Sequence, residues 1–281
     1  MRPEFNAMPP SISVVIPCYN EARYIGRCLG SLKEQSIPPR EIIVVDDGST
    51  DGTVEIVKGF DVRLLRQNHA GPAAARNLGA GAASGEILVL VDADMFFGRD
   101  YLLHLIAPME AGKARGTFTK DEFVGNPENV WAVCWNLETV GSRDRRVPAD
   151  SPDECPAFRA IWRDAFLSVH GYETTIGYED DTSLVPKLGF SAIVAPGAVC
   201  YHNNPSSLHE VYHSARWMGR SQRFSNQPWK IWRYIPPLSF VPAMAGAVKY
   251  RELRFMIFKI VYDTGILMGI LTRVLFRKHA K

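Results

Sequence analysis

Two stretches near the N-terminus decide the fold: Ser11–Glu21 reads SISVVIPCYNE, and Glu41–Thr53 reads EIIVVDDGSTDGT. Each begins with β-branched and aliphatic residues and ends in polar, turn-forming ones, which is typical of a buried strand followed by a loop. The stretch Glu86–Asp94, EILVLVDAD, has the same arrangement. Because the carboxyl ends of parallel strands lie along one edge of a sheet, we expect the three polar loops to converge on one ligand-binding crevice.

Helical patterns separate these strands. After Asn20, which we expect to cap a helix, apolar residues recur at i, i+3, i+4 and i+7 from Ile25 to Leu32. Alternating strands and helices predict an α/β chain with a parallel sheet covered by helices. Further helices are predicted at about 53–59, 72–83 and 101–110, and further strands at about 62–65, 117 and 191–195.

Charge and cysteine content narrow the function classes. Residues 1–210 hold 19 Lys and Arg against 28 Asp and Glu, whereas residues 211–281 hold 13 against 2. The basic C-terminal region is also apolar and shows no nucleic-acid recognition motif, so we expect it to meet an anionic membrane surface and no nucleic acid. The five cysteines form no CxxC pair, which favours reduced thiols in the cytosol over a zinc site or disulfide framework.

The motifs VVIPCYNE, IIVVDDGSTDGT, NHAGPAAARNLG, ILVLVDAD and GYEDD, in this order, resemble those of the family-two inverting glycosyltransferases. The resemblance covers Ser11–His202 and implies the GT-A fold, a Rossmann-like, nucleotide-sugar-binding mixed sheet flanked by helices. We expect a catalytic domain at 8–205, with a nucleotide-sugar-binding half at 8–100 and an acceptor-side half at 101–205. A basic amphipathic helical extension would follow at 206–281.

The resemblance implies a metal-dependent hexosyltransferase that moves one sugar from a UDP- or GDP-linked donor by a single displacement. The acceptor would be a hydroxyl or phosphate of a saccharide or, as we expect, a lipid-linked molecule. The alternative is a catalytically silent sugar-nucleotide-binding scaffold at the membrane. Intact Asp94 and Asp180 favour the enzyme.

The resemblance also assigns residues to the nucleotide sugar. Asp47 is expected to accept from the ring N–H of the base while Asp46 shapes the loop, and Arg76 is expected to reach the Asp92 loop and the diphosphate as a forked donor. Glu21 is expected to add first-turn charge to a helix. The full donor set is Pro17, Tyr19, Asn20, Glu21, Asp46, Asp47, Arg76, Asp92, Ala93 and Asp94.

Asp92 and Asp94 form a DxD pair, whose carboxylates point the same way on an extended segment. Such hard oxygen ligands suit Mn²⁺ or Mg²⁺ bridged to a diphosphate. By the resemblance, we expect Asp94 to coordinate the ion, Asp92 to contact ribose or act from the outer sphere, and His202 to complete the shell. An ordinary loop role for His202 stays open.

The acceptor side carries two further motifs. Glu179-Asp180 matches the ED motif, whose aspartate is the general base, and Asp181 is the alternative because this chain departs from the usual residues that follow. The segment from His213 to Trp217 is similar to the QxxRW motif of cellulose-synthase-like members. The resemblance places Glu179, His213, Arg216 and Trp217 at the acceptor or diphosphate, and an interface helix at the membrane is compatible with it.

The C-terminal stretch Phe255–Phe276 is long enough to span a bilayer but carries Lys259, Asp263 and Arg273. We therefore predict an interfacial helix, with a spanning helix and a buried or dimerising helix as the alternatives. The sequence adds four interfacial anchors, Trp229, Trp232, Arg233 and Tyr234. The expected location is the cytoplasmic face of the cell membrane, peripheral or monotopic.

Overall fold

The computed structural model describes residues 9–176, 180–221 and 228–276. They form two compact units. The first runs to Lys120 and adds Pro152–Tyr172 and Thr182–Val199; the second comprises Asp121–Ser151, Glu173–Asp181 and the chain from Cys200 onward. The two compact units do not follow the boundary at residue 205 that we predicted between the catalytic domain and its extension. That boundary concerns function and stays a prediction.

The first unit is built on an eight-stranded mixed sheet. Its strands are β1 (Ile12–Cys18), β2 (Glu41–Asp46), β3 (Arg63–Arg66), β4 (Ile87–Leu90), β6 (Gly116–Phe118), β8 (Glu154–Cys155), β9 (Ala160–Trp162) and β10 (Ala192–Val194). The order is β3-β2-β1-β4-β9-β6-β10-β8. β1 to β4 run parallel, whereas β9 is antiparallel to both of its neighbours. β5 (Met95–Phe97) follows β4 in the chain.

Helices cover this sheet much as the apolar spacing predicts. They are α1 (Ile25–Lys33), α2 (Thr53–Lys58), α3 (Pro72–Ala82), α4 (Tyr101–Glu110), α6 (Arg163–Ser168) and α7 (Leu184–Leu188). α3 lies directly on β1 and β2 because Gly79 has no side chain there. A Cβ at that position would collide with Val15 and press on Val45. This close packing fixes where α3 places its polar residues.

The second unit is largely helical. It contains β7 (Glu122–Val124) paired in parallel with β11 (Cys200–His202), and the helices α5 (Val130–Thr139), α8 (Leu208–Gly219), α9 (Pro236–Tyr250) and α10 (Arg254–Phe276). A short 3-10 helix spans Pro228–Tyr234 in this unit, and another spans Asp180–Ser183, of which Asp180 and Asp181 belong to this unit. The sequence did not predict α5, because VWAVCWNLET is apolar on most sides and shows no clear helical period.

Helix α10 packs one face into the core of its unit. Phe255, Phe258, Tyr262, Ile266 and Ile270 are buried in a cluster shared with α5 and α8. Close approach of α8 and α10 depends on Gly219, Gly265 and Gly269, since a Cβ at any of these would collide with backbone of the facing helix. We predicted an interfacial helix for this stretch, with a spanning or a buried helix as alternatives. The face that carries Phe258 and Ile266 is that of a buried helix.

By length and composition alone, one helix of the described chain, Arg254–Leu275, could cross a membrane, but 44% of its most apolar window is buried inside the protein. Core helices of soluble proteins meet the same criterion. This finding is therefore only a weak indication of a membrane location.

Candidate functional site

The structure brings the three predicted loops to one edge of the sheet in the first unit. β1 pairs with both β2 and β4, with Cys18 opposite Asp46 and Val15 opposite Leu90. The segments that follow these three strands therefore leave the same edge side by side. Pro17 is the exception, because β1 extends through it and buries it beside Val45.

Asn20 joins the first loop to the second instead of capping a helix. Its backbone is left-handed (φ 57°), its N–H donates to Ser49 Oγ at 2.9 Å, and its Oδ1 accepts from Thr50 N at 2.8 Å. α1 begins only at Ile25, after Tyr24, with no side-chain cap. The predicted cap is wrong, because the asparagine side chain is used across the loops.

Glu21 also differs from expectation, since α1 has no acidic residue in its first turn. Its N–H donates to Thr53 Oγ1 at 2.8 Å. Asp51 completes this contact by accepting from Thr53 N at 3.0 Å and Ala22 N at 3.2 Å. Partial burial alone would raise the pKa of Asp51, but the hydrogen bonds to its carboxylate have the larger total effect, so the pKa is lowered.

Asp46 shapes its loop, as predicted. Its side chain is fully buried at the end of β2. One carboxylate oxygen accepts from Ser49 N at 3.0 Å, and the other accepts from Arg66 Nε at 3.2 Å. These contacts fix the turn that separates Asp46 from α2.

Asp47 anchors the segment that leads into α3. It is 3% exposed, and its carboxylate accepts from Gln67 Nε2 at 2.7 Å, Ala70 N at 2.8 Å and Gly71 N at 2.9 Å. His69 Nδ1 lies 2.9 Å from its Oδ2. We predicted that Asp47 accepts a hydrogen bond from the ring N–H of the base. In the structure, groups of the protein already occupy this carboxylate.

Tyr19 presents an aromatic surface beside this anchor. Its side chain is 43% exposed, and its ring centroid lies 4.3 Å from that of His69. Asp47 holds the His69 ring in place through Nδ1. The two rings therefore offer an aromatic surface on which a planar base can stack. Sequence reasoning missed His69, although it lies inside the quoted NHAGPAAARN motif.

Asp92 is held by two arginines. Arg76 Nη2 lies 2.5 Å from its Oδ1, and Arg159 Nη1 lies 3.2 Å from its Oδ2. Arg76 reaches it from α3, as predicted, whereas Arg159 comes from the residue before β9. Its charge is thus compensated within the protein, which suits the predicted outer-sphere role better than direct metal coordination.

Asp94 and Ala93 lie between β4 and β5, Ala93 buried and Asp94 half-buried. Burial raises the pKa of the Cys28 thiol well above its usual range, and the charges of Asp94 and Asp92 add to this effect. Burial and Asp46 raise the pKa of Cys18 to about 12. The carboxylates of this edge thus add to the effect of burial on both thiols, and neither thiol is an activated nucleophile.

Asn77 holds the segment that follows α6. Its Nδ2 donates to Tyr172 O at 2.9 Å and its Oδ1 accepts from Tyr172 N at 2.8 Å. Gly171 has a φ of 67°, and a Cβ there would collide with the Asn77 side chain. His170, the residue before Gly171, is also left-handed and is exposed.

The predicted general base lies in the second unit. Asp180 is 5% exposed and begins a 3-10 helix, whereas Asp181 is half-buried. Glu179 lies outside the described residues.

His202 is oriented by a carboxylate that the sequence did not reveal. In the β7–β11 pair, its Nδ1 lies 3.0 Å from Glu122 Oε1, which also accepts from Arg146 Nε at 3.0 Å. We assign the His202 proton to Nδ1, which faces the Glu122 carboxylate, and this leaves Nε2 as the ring atom that a metal ion would bind. The signal that could have found Glu122 is weak, since it lies in a strand too short to show alternation.

The HxxRW residues lie on α8. His213 is exposed, and its ring centroid lies 4.3 Å from that of His209. Partial burial lowers the pKa of His213, and the charges of His209 and Arg216 lower it further. Arg216 Nε is buried without a hydrogen-bond partner in the described part of the protein, and Trp217 is half-buried.

Within the described residues, no group of three or more His, Cys, Asp or Glu side chains forms a ready metal cage. The donor chemistry nevertheless fits a divalent ion, because Asp94 offers hard oxygens and a diphosphate would supply the remaining oxygens.

A mixed sheet whose parallel strands end in acidic loops with a DxD pair defines a GT-A glycosyltransferase. Residues 13–169, more than half of the chain, match the family described as Glycosyl transferase family 2. The chain therefore belongs to glycosyltransferase family 2.

Two solved structures and one relative illustrate this membership. The mannosyltransferase PcManGT from Pyrobaculum calidifontis, in complex with GDP-Man and Mn²⁺, has a TM-score of 0.61 at 22% identity over 96% of this chain and 89% of its own. S. aureus TarS 1–349 in complex with UDP-GlcNAc has a TM-score of 0.55 at 18% identity, over 74% and 65% of the two chains. Both show the fold.

Glycosyltransferase GlyA of Streptococcus pneumoniae is 43% identical over 96 residues, which are 32% of this chain and 14% of GlyA. The match thus spans a small part of that relative.

Proposed function

We propose that this chain is an inverting hexosyltransferase. It moves one sugar from a UDP- or GDP-linked donor to a hydroxyl or phosphate of a lipid-linked or saccharide acceptor. The observation that carries this proposal is Asp92, held by Arg76 and Arg159 next to Asp94 at the carboxyl end of β4. Two arginines and two carboxylates at one strand end are suited to a diphosphate with a bound cation.

The nucleoside end of the donor is assigned to the first two loops. The Tyr19 and His69 rings offer a stacking surface, and Asp47 holds that surface in place. Asn20, Glu21 and Asp46 keep the loops together and would contact the nucleoside mainly through backbone atoms. Pro17, buried within β1, and the buried Ala93 would contribute backbone atoms only.

The diphosphate end is assigned to Asp92, Asp94 and Arg76. A divalent ion, Mn²⁺ or Mg²⁺, supplies positive charge to the leaving diphosphate when it is bound. Asp94 would hold it directly, and His202 would bind through Nε2 while Glu122 fixes its ring. The structure of PcManGT, which contains GDP-Man and Mn²⁺, supports a divalent ion beside the donor.

Acceptor activation is assigned to Asp180, with Asp181 as the alternative. A carboxylate that takes the acceptor's proton while the oxygen attacks the anomeric carbon from the face opposite the diphosphate inverts that carbon in one step. The proton then resides on the carboxylate. Glu179, His213, Arg216 and Trp217 are assigned to the acceptor and the departing diphosphate, where an arginine and an indole face suit phosphate and sugar.

We place the enzyme at the cytoplasmic face of the cell membrane, as a peripheral or monotopic protein. The support is the 13 basic residues against 2 acidic ones after residue 210, in a region that is also apolar. That location favours a lipid-linked acceptor over a soluble saccharide.

The experiment that tests this function is a panel of UDP- and GDP-sugars with Mn²⁺, followed by thermal shift and by release of free sugar. We expect one donor to stabilise the protein in a metal-dependent manner and to be slowly hydrolysed. Stabilisation by a nucleotide sugar without any turnover, with or without acceptor, would instead favour the silent scaffold.

A further inference from the structure

Helix α9 buries its small side chains and exposes its large apolar ones. Ser239, Ala243 and Ala247 recur every four residues and form the buried face. A helix on the surface of a globular unit normally shows the reverse pattern. The exposed side consists of Leu238 (50% exposed), Phe240 (47%), Val241 (68%), Met244 (45%) and Val248 (80%).

The exposed apolar surface is uninterrupted along the helix, because residues 236–248 read PPLSFVPAMAGAV and contain no charged residue. Large exposed apolar side chains continue in the chain on both sides, with Trp232 and Ile235 before α9 and Leu253 and Ile257 after it. Such a surface is unusual for a protein that meets only water.

Basic side chains border this surface at both ends. Arg233 precedes α9, and Lys249, Arg251 and Arg254 follow its apolar run; all four are exposed. An apolar strip with a basic border is complementary to a bilayer whose headgroups are anionic.

A groove of about 330 Å³ runs along the flank of α9 and includes Arg233 and Lys249 in its walls. Lys259, deeper in the groove, is held by Glu138 at 2.9 Å and Asp263 at 2.6 Å. The two exposed cations are thus the groups placed to meet a lipid phosphate.

We propose that α9 is the membrane-docking element, lying in the headgroup region of an anionic bilayer with Val241, Met244 and Val248 among the acyl chains. Arg233 and Lys249 contact lipid phosphates beside it. α10, the longest helix of the described chain, is not the inserted element, because its Phe258 and Ile266 face belongs to the core of the unit. This inference rests on the membrane location in the proposed function. It assigns the docking role to α9 instead of the stretch Phe255–Phe276, which the sequence predicted as the interfacial helix.

The test is flotation of the full chain with phosphatidylcholine vesicles that contain or lack phosphatidylglycerol. We expect binding to the anionic vesicles and at least a ~10-fold loss in the double variant Val241→Ser with Met244→Ser. The control is Val274→Ser with Leu275→Ser, at exposed apolar positions of α10, which should change binding less than about twofold.

Two further measurements address the geometry. Arg233→Gln and Lys249→Gln should each weaken binding to the anionic vesicles by roughly fivefold, and high salt should remove that difference. Because the chain has six Trp of its own, Met244→Trp is compared with the unmodified protein: the added emission should be blue-shifted on anionic vesicles and quenched by lipids brominated on the acyl chain.

Unchanged flotation of the α9 double variant, or a solvent-exposed Trp at 244 on bound protein, would overturn the proposal. So would a dimer that forms without vesicles and dissociates in the α9 variant, because a second copy would then cover the surface. Circular dichroism and donor-induced thermal shift, measured on every variant in solution, report folding and donor binding separately. Failure of donor binding in the unmodified protein would count against the proposed enzyme and leave the vesicle result standing.

Discussion

Arg159 lies 3.2 Å from Asp92 although 67 residues separate them in the chain. The antiparallel insertion of β9 beside β4 creates this pair, because the residue that enters β9 lies next to the residue that leaves β4: Leu90 N donates to Arg159 O at 2.9 Å. Asp92 is thereby held from one side by a helix and from the other by a strand.

We predict that Arg159→Gln weakens donor binding by about tenfold, since a charge-assisted hydrogen bond to Asp92 is lost. Isothermal titration with the nucleotide and Mn²⁺ measures this. Arg163→Gln, at the start of α6 and 3.7 Å from the exposed Asp164, is the matched control and should bind normally. Equal effects of the two substitutions would contradict a specific role for Arg159.

Asp94→Asn should abolish metal-dependent stabilisation by the donor while leaving the fold intact. The substitution is nearly isosteric and removes the carboxylate that we assign to the ion. Thermal shift with nucleotide and increasing Mn²⁺ measures the effect, and Asp164→Asn, at an exposed position, serves as the control. A retained Mn²⁺-dependent shift would remove Asp94 from the metal site.

Asp180→Asn should keep nucleotide and metal binding but reduce transfer by at least ~10²-fold, the usual contribution of a positioned base. Asp181→Asn should lose much less, in line with its greater exposure. The measurement is sugar transfer at saturating donor once an acceptor is found. Reversed effects would assign the base to Asp181.

Thiol reactivity follows from the raised pKa values. Thiolates are the reactive species, and Cys18, with a pKa of about 12, stays protonated from pH 7 to 9, as does Cys28. We expect Cys155, the half-buried thiol, to react first with a disulfide reagent in the native protein, and Cys155→Ser to remove that reaction. All five should react in denaturant; rapid native labelling of Cys18 would contradict its burial.

Gly269→Ala should destabilise the protein by about 1–3 kcal/mol, the usual cost of overpacking, because the added Cβ would collide with Arg216 O on α8. Gly81→Ala is the matched control, since it is also helical and nothing lies within 4 Å of its added Cβ. Chemical denaturation measures both. Equal stability would mean that α8 and α10 do not pack closely in solution.

The strands and loops of the first hundred residues could be predicted because each carries its own local signal, an apolar run that ends in Asp, Asn or Gly. α4 was predicted with its observed bounds, Tyr101–Glu110. Local signals could not reveal Arg159 or Glu122, whose partners depend on strands of three residues that pair far along the chain. Nor could they show that Asn20 is left-handed, since a helix cap and an inter-loop contact use the same side-chain oxygen.

The position of β9 inside the sheet also constrains how this protein can be made and divided. As the chain leaves the ribosome, β1 to β4 are complete some 70 residues before β9 arrives, so β4 waits as an open sheet edge. Open edges recruit strands from other chains. A fragment limited to residues 8–100 would keep that edge permanently and would lack Arg159, one of the two arginines that hold Asp92. A piece that folds on its own must extend past Trp162.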